Sequence, residues 1–225
     1  MSKNLIKRIT TSIFLLSLLI FINFSHHYIF IFSILTLGAI ICIEANNIFS
    51  KLFFKKFSKK KFAIKEFNTK FLIFNILTFC YVFFIFFNFS YEIYKYQGPT
   101  FFLFIISICI FTDIGGYIFG KTIGGKKLSK ISPNKTISGA IGSFLLSVFP
   151  LILVSNFNYL ELKINPSNII LCLLISLVSQ LGDLFISFIK RKAKIKDTGN
   201  LLPGHGGFLD RVDGIIFAVP FSFFL

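Results

Sequence analysis

The sequence predicts an all-α, multi-pass integral membrane protein, and three observations lead there. Hydrophobic residues fill 55% of the 225 positions, charged residues only 15%, and mean hydropathy is +0.80. That is too apolar for a soluble domain of this length. Apolar runs of roughly the ~20 residues needed to cross a bilayer recur along the chain. Basic residues fall between these runs, so the net charge of +15 reads as the flanks of membrane spans and not as a nucleic-acid surface.

Taken in order, Lys3, Lys7 and Arg8 flank the apolar run from Ile9 to Phe24. No small-residue cleavage site follows, so this run is expected as a retained first span. A turn at Ser25, His26 and His27, with both imidazoles expected in solvent, leads to a second span from about Tyr28 to Ile43 or a little beyond. Glu44 at its end is expected as an interfacial residue. Residues 51–70 then carry eight lysines and one glutamate, interleaved with Leu52, Phe53, Phe54, Phe57, Phe62 and Phe67. An amphipathic helix in the headgroup region and a solvated loop that sets topology both fit this pattern.

Four further spans are expected at residues 71–87, 100–119, 137–154 and 169–189. The links at 91–99 and 156–167 are tyrosine-containing and nearly uncharged, as interfacial segments often are. The twelve residues from Gly214 to Leu225 include Pro220 and give about 18 Å of helix at ~1.5 Å per residue, against a ~30 Å core. They are expected as a half-span or re-entrant piece. About six full spans plus that piece make one membrane domain over residues 1–225. Cys42, Cys80, Cys109 and Cys172 each stand alone in apolar runs and read as small hydrophobes.

Charge sets the orientation. Residues 1–8, 51–70, 120–135 and 188–213 hold 22 of the 24 basic residues, and only Lys95 and Lys163 fall on the other side. The positive-inside bias therefore places the N-terminus, and the polar loops after spans four and six, on the cytoplasmic face of the cell (inner) membrane.

The stretch from Ser179 to Gly214 holds four of the nine acidic residues, Asp183, Asp197, Asp210 and Asp213, among Lys190, Arg191, Lys192, Lys194, Lys196 and Arg211. Asp183, Ser187, Lys190, Arg191 and Lys194 would share one helical face. An acid inside an apolar span is costly enough that a function or a charge partner is expected. Downstream, Gly204, Gly206 and Gly207 let the backbone bend closely around a ligand beside His205, and Asp210 and Asp213 follow at i, i+3. Three carboxylates, Asp183, Asp210 and Asp213, suit Mg2+, an oxygen-seeking ion that shares its coordination with phosphates.

The segment from Ser187 to Asp213 resembles the signature of phosphatidate cytidylyltransferases, also called CDP-diacylglycerol synthases. Ser187, Lys190, Arg191, Lys196, Asp197, the run from Pro203 to Gly207, Asp210, Arg211 and Asp213 all stand at that family's spacing. The loop after span four is similar to the family's second polar block at Asp113, Tyr117, Gly120, Gly125, Ser132, Pro133, Lys135, Thr136 and Gly139. Asn134 stands where a second lysine is usual, and Ser138 where an acid is usual. Gly115, Gly120, Lys121 and Thr122 also satisfy a P-loop pattern, but that motif needs a strand-to-helix turn in an α/β domain, which an apolar span does not provide. Lys121 is kept as a phosphate contact. For Asp113 the options are binding metal, orienting Lys121 or only capping the helix, and a site role is the reading taken.

The resemblance implies transfer of a cytidylyl group from CTP to phosphatidate, giving CDP-diacylglycerol and pyrophosphate, with residues 100–225 as the catalytic region. It implies Asp183, Asp210, Lys190, Arg191, Arg211 and His205 in catalysis. Substrate would be held by Asp113, Lys121, Ser132, Lys135, Thr136, Ser187, Gly206 and Gly207. Besides the substrates, the expected partners are the lipid bilayer and, left open, a second copy in a homodimer; no nucleic acid is expected. Other readings are a different CTP-dependent membrane enzyme, such as a polyprenol kinase or an archaeal-type lipid cytidylyltransferase, and a nonenzymatic cation transporter or anionic-lipid scaffold.

Overall fold

The computed structural model describes residues 3–54, 69–129, 132, 135–157, 160, 162–202, 204 and 206–225. Among them every regular element is a helix, apart from isolated β-bridges at Lys127–Thr136 and Leu202–Gly206. Four helical stretches, His27–Phe53, Thr69–Thr122, Ile137–Phe157 and Pro166–Lys192, are long and apolar enough to cross a membrane, and Thr10–Phe24 is a shorter apolar one. Large apolar side chains such as Phe14, Phe21, Phe32, Leu77 and Phe84 stand exposed. A soluble protein hides such surface, whereas lipid accepts it. The protein is an all-helical membrane protein.

The chain divides into two compact units. One comprises Met1–Phe87 and Ile189–Arg211, the other Asn88–Phe188 and Val212–Leu225.

In the first unit, α1 (Lys3–Phe24) is followed almost directly by α2 (His27–Phe53). α2 runs ten residues beyond the expected end of span two, because the sequence EANNIFSKLF contains neither glycine nor proline to stop it. Glu44, Ala45, Ile48 and Phe49 in this extension are buried, so Glu44 is not the interfacial residue expected. Lys51 to Phe54 close α2 or follow it directly, and the remainder of the lysine-rich segment, 55–68, lies outside the described residues. α3 (Thr69–Cys80) meets α2 through Phe49–Phe74 and Phe53–Phe74 ring contacts at 5.4 and 5.5 Å. A Cβ on Gly38 of α2 would lie 2.9 Å from Val82 Cγ1, so only glycine allows that approach.

Beyond α3 the chain stays helical through π-type turns at Tyr81–Phe86, α4 (Phe87–Glu92) and further π-type turns at Ile93–Gln97. The tyrosine-rich link expected at 91–99 is therefore mostly helix. Its sequence has no breaker until Gly98, whose φ of 87° and ψ of 166° are open only to glycine, and Pro99 then starts the next helix.

The second unit is built on α5 (Gly98–Thr122), α6 (Ile137–Ser147), α7 (Phe149–Phe157), most of α8 (Pro166–Lys192) and α10 (Ile215–Ser222), with α9 (Leu209–Val212) preceding α10 in the chain. Pro150 explains why expected span five is split at Val148. The α5–α6 crossing is made by glycines face to face: a Cβ on Gly115 would lie 2.8 Å from the Gly142 carbonyl carbon, and one on Gly139 2.8 Å from the Gly116 oxygen. Small residues of this kind let membrane helices approach closely. Gly115 to Thr122 are thus helical throughout, which removes the P-loop reading, since amides used in helix bonds cannot cradle a phosphate.

The eight residues of α10, about 12 Å at ~1.5 Å per residue, match the expected short piece. Its start is pressed onto α8. A Cβ on Gly214 would lie 2.8 Å from the Ser179 carbonyl oxygen, and one on Gly182 2.9 Å from the Asp213 oxygen.

Candidate functional site: two lysine-paired carboxylates

In the second unit α5 ends at Thr122, and Gly124 and Gly125, at φ of 65° and 98°, turn the chain back. Leu128 N donates to the Lys135 carbonyl at 2.8 Å and Ile137 N to that of Lys126 at 3.0 Å, folding the loop into a hairpin that returns to α6. Thr136 caps α6 by accepting from Gly139 N at 3.1 Å. Ser138, at the position where an acid is usual in the resembled family, donates to the Gly124 carbonyl and lies 3.0 Å from the Thr136 hydroxyl. A serine thus fastens the turn to the helix start. Lys135, held at the end of this hairpin, forms an ion pair with Asp183 of α8. Ser187, one turn further along α8, donates to Asp183 Oδ1 at 3.2 Å. The pair is partly open, with side-chain exposures of 29% for Lys135 and 23% for Asp183.

The first unit holds a second pair, more deeply placed. Lys190 Nζ donates to Asp210 Oδ1 at 2.7 Å, with side-chain exposures of 10% and 7%. Asp210 Oδ2 accepts from Thr198 N at 2.8 Å, Thr198 Oγ1 at 3.1 Å and Gly207 N at 3.0 Å. Burial pushes the Asp210 carboxyl up, but the hydrogen bonds from Lys190, Thr198 and Gly207 and the lysine charge more than offset it, so its pKa lies below the ordinary value. Glu44 of α2 joins the same cluster. Its carboxylate accepts from Phe208 N and Leu209 N at 2.8 Å each and from Thr198 Oγ1 at 2.7 Å.

α8 carries both pairs' helical members. Asp183, Ser187 and Lys190 lie at i, i+4 and i+7 within Pro166–Lys192, as the face pattern predicts. Lys194 leaves that face. The helix ends at Lys192, Lys194 takes a φ of 58°, and Ile195 N reaches back to the Lys190 carbonyl at 3.0 Å, closing the helix with a left-handed cap.

Other expected site residues are placed separately. Arg191 is exposed and donates to the Ile195 carbonyl at 3.3 Å. Arg211 is exposed on α9. Asp213 follows α9, buried at 9% exposure, and accepts from Gly214 N at 3.0 Å. Gly204 and Gly206 take φ of 78° and 86°, and Leu202 N donates to the Gly206 carbonyl at 2.9 Å, so the expected tight bend is present. His205 lies outside the described residues. Lys121 stands at the end of α5, over the Tyr117 ring at 5.6 Å. Asp113 is exposed inside α5, about two and a half turns before its end, so it does not cap that helix. Ser132 lies in the hairpin and its N–H donates to Ser129 Oγ at 3.2 Å.

Sequence reasoning missed Glu44 and Thr198. The cost of an acid in an apolar helix, applied to Asp183, was the available signal for Glu44. Nothing local points to Thr198.

Among the described residues no group of three or more His, Cys, Asp or Glu side chains gathers to form a cage. Each Asp183 oxygen, holding a single donor, has a lone pair to spare, and so does Asp210 Oδ1. This fits Mg2+, which binds through one or two carboxylates and completes its shell with water and phosphate.

Acids paired with lysines, next to glycine turns at the ends of apolar helices, are the charged features this membrane protein presents. The chain belongs to the cytidylyltransferase family, which it matches over residues 6–225. It is 39% identical over 134 residues to the phosphatidate cytidylyltransferase of Bacillus subtilis, covering 57% of this chain and 48% of the relative. The enzymes of that name from Brucella suis and Rickettsia bellii are 46% identical over 125 residues (54% and 44% covered) and 44% identical over 138 residues (55% and 57% covered). The chain spans about half the length of the curated relatives it matches.

Proposed function

We propose that this protein is a phosphatidate cytidylyltransferase that joins CTP and phosphatidate into CDP-diacylglycerol and releases pyrophosphate. The observation that carries the reading is that each compact unit holds its own lysine–aspartate pair, Lys135 with Asp183 in one and Lys190 with Asp210 in the other. Such pairs hold charge ready for an anionic substrate: the ammonium groups can turn to phosphate oxygens and the carboxylates to a cation.

A phosphatidate oxygen attacks the α-phosphorus of CTP, and the bond from that phosphorus to the bridging oxygen of the β-phosphate breaks. The nucleophile is already an anion, so no strong base is needed, and catalysis is positioning plus neutralisation of charge. Mg2+, when bound, would supply Lewis-acid stabilisation of phosphate charge, with Asp183, Asp210 and Asp213 as the proposed candidates, one or two of which would hold a given ion. Lys135, Lys190, Arg191 and Arg211 neutralise the phosphates, the arginines through two oxygens at once. Lys121, Ser132, Thr136 and Asp113 serve the nucleotide side. Ser187 orients Asp183, Gly206 and Gly207 let the backbone bend closely beside the substrate, and His205 contacts the lipid phosphate or the leaving pyrophosphate. The charge asymmetry of 22 basic residues to 2 supports a cytoplasmic site in the inner membrane.

The test is incubation of purified protein with Mg2+, labelled CTP and phosphatidate, diacylglycerol or a polyprenol in turn. Pyrophosphate together with a CDP-lipid, formed only with phosphatidate, is the expected result. CDP together with a phosphorylated lipid would make the protein a kinase, and no turnover with any lipid would defeat the enzymatic reading.

A further inference from the structure

We infer that Glu44 is a positioning residue that sets the segment 198–209, and through it Asp210, in the geometry the reaction needs. The inference rests on the function proposed above. Glu44 is 4% exposed, and among the described residues the donors to its carboxylate all come from that segment. Two consecutive amides, Phe208 N and Leu209 N, donate to it at 2.8 Å, and the Thr198 hydroxyl does so at 2.7 Å. Hydrogen bonds to an ionised acceptor are about twice as strong as neutral ones, and all three come from one loop.

Thr198 makes the link to Asp210. Its hydroxyl lies 2.7 Å from Glu44 Oε2 and 3.1 Å from Asp210 Oδ2, and its amide donates to the latter at 2.8 Å. A hydroxyl carries a single proton. It can satisfy one carboxylate at a time, and the two acids share it. The Phe208 and Leu209 amides that Glu44 takes open α9, the turn that bears Asp210. Glu44 therefore fixes both ends of the loop whose middle presents the glycine bend.

The glycines of the loop supply an independent sign that the site is built around this carboxylate. A Cβ on Gly199 would lie 2.9 Å from Glu44 Oε1, and one on Gly207 2.5 Å from Glu44 Oε2 and 2.7 Å from Gly199 N. Both positions would be filled by any other residue, so the approach of α2 to the loop depends on them.

The test compares Glu44→Gln with wild type in the full chain, in detergent or lipid, with Thr198→Val and Thr198→Ser as the second pair. Glu44→Gln keeps the volume but replaces an acceptor oxygen by a donor facing donors. A displaced catalytic loop costs rate rather than affinity, so kcat should fall by about tenfold to a hundredfold while KM for CTP moves by less than about threefold. Thr198→Val should fall in the same way and Thr198→Ser recover most of the rate. Tryptic cleavage at the exposed Lys194 and Lys196, scored by mass spectrometry, reads the loop without any turnover and should quicken in Glu44→Gln and Thr198→Val alone. A Glu44→Gln enzyme at wild-type kcat, or Val and Ser variants of Thr198 equal in rate, would overturn the inference. If the wild type turns over no lipid, the reaction assignment fails instead, and unchanged cleavage in the variants would then sink the positioning role on its own. Should Glu44→Gln fail to fold, the Thr198 pair decides.

Discussion

Asp183 and Asp210 carry the same chemistry in opposite settings. Asp210 is 7% exposed, takes four donors and sits on α9, whose start a second buried acid holds from α2. Asp183 is 23% exposed, takes two, and its lysine comes from a hairpin tied together by backbone bonds and serines. The difference teaches which acid is committed to the fold. Asp210 organises backbone as well as charge, whereas Asp183 stands on a rigid helix that would keep its shape without it.

The largest test of that contrast is the pair Asp210→Asn and Asp183→Asn. Each should lower CTP-dependent turnover at least a hundredfold, about 2.7 kcal/mol at ~1.36 kcal/mol per decade. Only Asp210→Asn should also destabilise the protein, because Lys190 is left buried without its counter-charge, a loss of about 3–5 kcal/mol for such pairs. Thermal unfolding in detergent separates the two, and equal melting temperatures would erase the distinction.

Next in size is Gly182→Ala. The added methyl would meet the Phe217 ring and the Asp213 carbonyl, and overpacking of this kind costs about 1–3 kcal/mol. It should lower the melting temperature and, by shifting the residue beside Asp183, turnover as well.

A pH series sharpens the comparison further. The Asp210 pKa is depressed below the ordinary 3.8, so its ionised form favours the folded state. That contribution is complete above the unfolded carboxylate value of about 4 and is lost as pH falls through the lower folded value. The melting-temperature gap between wild type and Asp210→Asn should therefore be constant from pH 7 down to about 5 and narrow below about 4. The smallest effect belongs to Ser138→Ala. Losing its bond to the Gly124 carbonyl should cost about 0.5–1.5 kcal/mol and raise KM for CTP more than it lowers kcat, if the hairpin bearing Lys135 serves the nucleotide.

Much of this molecule is legible in its sequence. Apolar runs located the helices, because a bilayer demands long uninterrupted segments whose backbone bonds are satisfied internally. The i, i+4, i+7 spacing put Asp183, Ser187 and Lys190 on one face, because helical geometry is local. Helix ends were less legible. α2 overran its apolar stretch and the 91–99 link proved helical up to Gly98, since hydropathy marks where lipid would lie and not where a helix stops. The face pattern includes Lys194, but the chain has already left that face through a left-handed cap.

By itself, then, the sequence determined an all-helical membrane protein, the family signature between Ser187 and Asp213, and the acids and bases available for chemistry. Only the tertiary structure decided how those charges are shared. Glu44 and Thr198 are 154 residues apart, and no periodicity relates them. A carboxylate buried in an apolar helix must find donors wherever the fold supplies them, and here the fold supplied the loop that carries Asp210.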